Sequence, residues 1–255
     1  MSKEHVASAT KPSGLVAWAK GLAKDIVWIG GFVVLFHSFA FGAYHIPSGS
    51  MEPTLLIGDR IVVSKFAYGY SRHSLPFSPP LFSGRLWGRA PKRGDVAVFV
   101  VPEQDNEVFI KRVIGLPGDK VQMRGGRLYI NDVIVPRRLV RQLSTRDAAG
   151  WPRLIQIYEE TLPNGVAHPI AEWGDDRPLD NTPLFTVPDG QFLMMGDNRD
   201  NSNDSRAPHG FGLVTSEELI GRAEAISFSL ARCDRRGGDG CFLGVPWGRF
   251  FKSIP

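Results

Sequence analysis

The chain has 255 residues, 43% of them hydrophobic, enough to bury a large core. Its 30 Lys and Arg against 26 Asp and Glu give a formal charge of +4, mild and spread out. The basic residues sit beside Gly, Pro and Asp with no interleaved aromatics, which argues against a nucleic-acid partner. From Ile26 to Ser50 there is no Asp, Glu, Lys or Arg. Residues 26–46 read IVWIGGFVVLFHSFAFGAYHI, and these 21 residues as a helix would rise about 31 Å, roughly a bilayer's hydrocarbon thickness. Trp28 and Tyr44 lie near opposite ends, where aromatic belts form, while His37 and Ser38 weaken the signal. Ahead of the run, Lys3, Lys11, Lys20 and Lys24 outnumber Glu4 and Asp25, which favours a cytoplasmic N-terminus. The pattern therefore predicts a short cytoplasmic tail over 1–25, one transmembrane helix over 26–46 and an extracytoplasmic domain over 47–255. A buried soluble helix is one rival. A cleaved signal peptide is another, although its apolar core would be about 7–15 residues.

Beyond the run, short β-branched and aromatic stretches alternate with Gly, Pro and Asp. RIVVSKF (60–66), DVAVFVV (95–101), EVFIKRVI (107–114), KVQM (120–123) and RLYIND (127–132) read as strands, followed by QFLMM (191–195) and AISFSL (225–230). No βαβ rhythm appears. The fold class expected is mainly β, an antiparallel folded-sheet or barrel-like domain. TSEELIG (215–221) carries a short helix signal, with Thr215 or Ser216 as cap. Two segments interrupt the strands. Residues 71–93 read as a long loop, and 137–183 as a small subdomain or an excursion with a strand at LIQIYEE (154–160). VPWGRFFKSIP (245–255) suits either core or a membrane surface. Cys233 and Cys241 lie close enough to close a small disulfide loop outside the cytoplasm, and no adjacent His or Cys suggests a metal.

Three stretches carry chemistry-bearing residues. In IPSGSMEPTL (46–55), Pro47, Gly49 and Pro53 make a turn the plainest reading, with Ser48 and Ser50 inside it. In FIKRVIGLPGD (109–119), period two puts Phe109, Lys111 and Val113 on one strand face, and Ile110, Arg112 and Ile114 on the other. Apolar neighbours on both faces make Lys111 a candidate for burial, which would lower its pKa. The bland alternative is a lysine whose stem packs while its ammonium reaches water. MGDNRDNSNDSR (195–206) crowds Asp197, Asn198, Arg199, Asp200, Asp204 and Arg206 around Ser202 and Ser205, so Asx turns and ion pairs can stiffen it. The EF-hand order is absent from it. No Gly-rich phosphate loop or HExxH occurs, and no histidine pairs with an acid at useful spacing.

These three stretches, in this order after an N-terminal apolar run, resemble the bacterial type I signal peptidases, membrane-bound Ser–Lys endopeptidases. The likeness in layout extends over about residues 20–255. It implies Ser50 as nucleophile and Lys111 as general base. It implies Ser48 and the Ser50 N–H as the oxyanion hole, and Ser202 as the residue that orients the lysine amine. Asp204 and Arg206 would support the site, with Asp197 and Arg112 beside them. The implied substrates are signal-peptide-bearing preproteins with a small residue just before the cut and another two residues earlier. The implied location is the bacterial inner membrane, in contact with lipid and near the secretion translocon, with no cofactor. Rivals of the same chemistry are a pilus-maturation peptidase, an organelle inner-membrane peptidase or a self-cleaving repressor. The last would need a DNA-binding domain where residues 1–45 offer an apolar run. A non-catalytic membrane-anchored interaction module is the rival of a different class, and Ser50 and Lys111 weigh against it.

Overall fold

The computed structural model describes residues 14–75, 78–80, 82–102, 104–146, 152–231, 241–242 and 245–255. A single helix among them, α1 (Gly14–Phe39), leads into β1 (Phe41–His45). The chain then forms β2 (Asp59–Ser64), β3 (Val96–Val101), β4 (Glu107–Gly115), β5 (Lys120–Arg124), β6 (Arg127–Ile130) and β7 (Val133–Ile134). Next come β8 (Arg137–Arg146), β9 (Pro152–Thr161), β10 (Ala167–Glu172), β11 (Phe185–Thr186) and β12 (Gln191–Met195). β13 (Val214–Thr215), β14 (Leu219–Ser229), β15 (Cys241–Phe242), β16 (Val245–Pro246) and β17 (Lys252–Ser253) complete it.

The main sheet runs β1-β2-β14-β3-β4-β12-β13, with β17 added on β14. Its ladders are antiparallel. The sheet is open, so the barrel-like reading gives way to a folded sheet. A four-stranded sheet (β11-β5-β6-β7) and a three-stranded sheet (β10-β9-β8) accompany it. The reason β3 is central is legible in VAVFVV: every side chain is buried, as a short unbroken apolar run requires. Alternation splits that strand between two cores. Val96, Val98 and Val100 join Ile61, Val63, Ile220 and Ile226, and this cluster receives Met51 and Leu55. Ala97, Phe99 and Val101 join Val113, Phe192 and Met194. A third cluster, with Ile114, Val121, Met123 and Leu128, lies under the four-stranded sheet.

Three expectations change. The helix expected over 26–46 runs instead from Gly14 to Phe39, because residues 41–45 pair with β2, from Phe41↔Ser64 to His45↔Arg60. No helix among the described residues is long and apolar enough to cross a membrane. TSEELIG is not helical. Thr215 N–H donates to Glu218 Oε2 at 2.7 Å, a cap-like turn. Leu219 and Ile220 are then drawn into the core as the start of β14, so burial overrides the local signal. Residues 137–183 are more structured than the sequence suggests: they hold β8, β9 and β10. The described part of 71–93 is loop with one 3-10 turn, Arg72–Ser74. The C-terminal stretch is divided, with Arg249 buried and Ile254 against the core, while Trp247 and Phe251 are exposed. The Cys233–Cys241 pairing lies outside the described residues.

Candidate active site

Ser50 sits in a 3-10 turn, Gly49–Met51, entered through Ser48 in extended backbone. Met51 and Leu55 are fully buried and anchor the turn in the core, leaving Ser48 exposed and Ser50 half-buried. β4 delivers Lys111 to the same place. Its Nζ lies 2.8 Å from Ser50 Oγ and 3.0 Å from the Ile110 carbonyl oxygen. Lys111 is 3% exposed. Phe109 and Val113 belong to one core cluster and Ile110 to another, as the two strand faces require. Burial pulls the Lys111 amine down to about 8, against the opposing pull of Asp204 and Asp197. About a tenth of the amine is therefore neutral at pH 7, and about half at pH 8. Ser48 Oγ is 3.5 Å from Ser50 Oγ. A buried amine beside a hydroxyl, with a second hydroxyl alongside, suits base-assisted nucleophilic attack.

The 195–206 loop closes over this turn. Asn198 N–H donates to the Ser50 carbonyl at 3.1 Å, and its side-chain Nδ2 donates to the Gly49 carbonyl at 2.9 Å. Gly196 is required by crowding: a Cβ there would lie 2.5 Å from the Ser50 carbonyl oxygen and against Ser202. Asp204 accepts the Gly196 N–H at 2.9 Å and holds Arg206 through two bonds of 2.9 Å. Burial would raise the Asp204 carboxyl, but Arg206 keeps it below the usual range. Ser202 is buried, and its hydroxyl joins Arg206 and the Gly196 N–H in holding the Asp204 carboxyl low. Ser202 thus reaches the site through Asp204, a carboxylate whose charge the Lys111 amine feels.

Arg112 points away from Ser50. Its Nε and one terminal nitrogen each donate to Asp197 at 2.8 Å, and its other terminal nitrogen donates to the Gly94 and Pro255 carbonyls. Here sequence reading missed a buried cluster. Arg199 and Glu160 pair through bonds of 2.8 and 2.6 Å. Between that pair and Asp197 lies His168, 3.8 Å from an oxygen of each carboxylate. Burial, then Arg112, push the imidazole down to about 4. Glu160 is on β9 and His168 on β10. No spacing rule links them to residues 197–199. The link is a bridge between strand and loop: Ala171 N–H donates to the Asp197 carbonyl at 2.8 Å, and Arg199 N–H to the Ala171 carbonyl at 2.9 Å. The described residues contain no group of His, Cys, Asp and Glu suited to a metal. Asp197 and Asp204 are each engaged by arginine.

The chain is similar to known proteins over most of its length. The family model described as signal peptidase, peptidase S26, matches residues 19–228. A signal peptidase I of Rickettsia akari is 40% identical over 219 residues, 81% of this chain and 80% of that protein. One from Rickettsia typhi is 42% identical over 194 residues, 73% of this chain and 71% of that protein. A crystal structure of a signal peptidase I from Enterococcus faecalis is 27% identical, covering 52% of this chain and 97% of that one, with a TM-score of 0.31. The chain is a protease, a hydrolase of peptide bonds. It belongs to the signal peptidase family, peptidase S26.

Proposed function

We propose that this chain is a membrane-anchored signal peptidase that cleaves signal peptides from exported preproteins by Ser–Lys chemistry. The observation that carries the reading is the 2.8 Å approach of Lys111 Nζ to Ser50 Oγ, between segments 61 residues apart. Neutral Lys111 takes the Ser50 proton as Oγ attacks the carbonyl carbon before the cut. The Ser50 N–H and Ser48 hydroxyl donate to the oxyanion. The new ammonium of Lys111 returns a proton to the leaving nitrogen, the C–N bond breaks, and an acyl-enzyme remains. Water deprotonated by Lys111 then releases the acid and frees Ser50. This follows the triad logic with an amine in place of histidine. Asp204 and Arg206 support the 195–206 loop against the Ser50 turn.

Anchoring is part of the same proposal. Ile26, Val27, Trp28, Ile29, Phe32 and Val33 of α1 are 56–71% exposed, an apolar surface that lipid would cover. The uncharged stretch Ile26–Phe39 of the helix rises about 21 Å, so an anchor of this length needs neighbouring aromatic residues at the interface. Phe41 and Phe66, in edge contact at 5.5 Å between centroids, supply them. The upstream lysines favour a cytoplasmic N-terminus. The catalytic domain would then face the extracytoplasmic side of the inner membrane, near the translocon and its preproteins.

The test is cleavage of a secretory precursor by the purified full chain in detergent. Ser50→Ala should abolish cleavage with the fold intact, because a small half-buried turn residue loses only an oxygen. Cleavage near the wild-type rate would remove Ser50 from this role.

A further inference from the structure

Two clefts border the Ser50 turn. Tyr44, Ile46 and Pro47, which precede Ser50, line the first together with Val108, Phe109 and Ile110. Pro53 and Leu56, which follow it, line the second and face Leu143, Ile155 and Ile157 of the three-stranded sheet. The β8–β9 register sets Leu143 opposite Ile155 and Arg141 opposite Ile157, so these side chains share one face. Arg141 is exposed at the rim, while the Glu52 carboxyl lies beside Gly49. Asn198 lines this second cleft as well. Its Nδ2 is used on the Gly49 carbonyl, but Oδ1 is buried with no donor.

We propose that the second cleft, shallow at about 20 Å³, is the subsite for the mature side of the precursor, an apolar surface over which the first few residues after the cut lie extended. The proposal rests on Ser50 and Lys111 being the reactive pair. A polypeptide whose carbonyl lies at Ser50 Oγ must extend in both directions from it. The signal side is apolar and arrives from the membrane. The first cleft lies at the end of β1, the strand into which α1 leads, so it meets that side. The mature side then has the cleft between the Ser50 turn and the sheet of residues 137–172. Arg141 at its rim favours an acidic residue nearby over a basic one.

The experiment uses the full chain in detergent and two peptides identical up to the cut. One ends as an amide one residue after it. The other continues for about six residues, with leucine in the second and third places. The wild type should turn over the longer peptide with about tenfold higher kcat/KM, the size of an apolar side-chain contact. Leu143→Asp should erase that preference. Arg141→Glu, a surface change that spares the core, should reverse the choice between acidic and basic mature residues by about threefold. A variant that slows both peptides equally marks a structural role and overturns the subsite, and so does an unchanged preference in both variants. Turnover of either peptide by Ser50→Ala would instead overturn the underlying reading of the reactive pair.

Discussion

Lys111 and Arg112 are neighbours on β4, both cations, both buried, and they meet opposite fates. Lys111 has a hydroxyl and a carbonyl within hydrogen-bond distance but no bonded carboxylate. Arg112 holds Asp197 through two bonds in a site with no exposure. The first is a place where burial lets a group lose its proton near pH 8. The second is a place where burial is tolerated because an opposite charge is fixed beside it. Although they are adjacent in sequence, strand alternation sends their side chains to different faces. The lesson is that equal burial has different consequences according to whether a carboxylate is bonded to the cation.

The largest effect comes from breaking the unpaired side of this comparison. Lys111→Arg keeps a cation of similar length but cannot supply a neutral base. Turnover should fall by about three orders of magnitude or more. Wild-type turnover should rise as pH passes through about 8, where the amine loses its proton. Turnover of one precursor across about pH 6–10 by both proteins reads both effects. An active arginine variant would return Lys111 to the ranks of ion-pairing residues.

The paired side breaks differently. Arg199→Met leaves Glu160 buried without its cation and should cost about 3–5 kcal/mol in urea unfolding. Arg199→Met with Glu160→Met should recover most of that loss, since no charge is then stranded. His168 adds a pH signature. Its folded value of about 4 lies below the ordinary 6.5, so the unfolded chain takes up a proton first as acid is added. Its contribution is therefore whole above about pH 6.5 and is lost as pH falls towards 4, by about 3 kcal/mol at most. His168→Leu should flatten the stability curve over that window. An unchanged slope would mean that the carboxylates alone set it.

These two sides were not equally legible in the sequence. The Ser50 turn, the Lys111 strand and the acidic loop are local patterns, and each announced itself through Pro, Gly or period two. Most strands were legible for the same reason: QFLMM became β12 as written. The cluster around His168 was not. Its members come from β9, β10 and the 197–199 loop, and the Ala171–Asn198 bridge joins them. No local window contains that bridge. TSEELIG failed for a related reason, since a correct capping signal was outweighed by distant core contacts that made Leu219 and Ile220 a strand. The helix boundary moved because Gly42 and Ala43 read as apolar helix until β2 is available to pair with them.

The smallest expected effect tests whether pairing matters by itself or only when buried. Arg138 and Glu159 face each other on β8 and β9 at 2.9 Å, close to the 2.6 Å of Arg199 and Glu160. Their side chains are 71% and 46% exposed, against 1% and 2% for the buried pair. Water screens the first pair, and ordering two long side chains offsets much of its attraction. Arg138→Ala should therefore change the unfolding free energy by no more than about 0.5 kcal/mol, and less in high salt. Urea unfolding of Arg138→Ala and Arg199→Met, in low and high salt, puts the two pairs on one scale. A loss for Arg138→Ala as large as that for Arg199→Met would mean that the arginine stem, packed along β9, stabilises the sheet independently of its charge. Salt independence of that loss would confirm packing as the cause, because Coulombic attraction at an exposed site cannot survive screening.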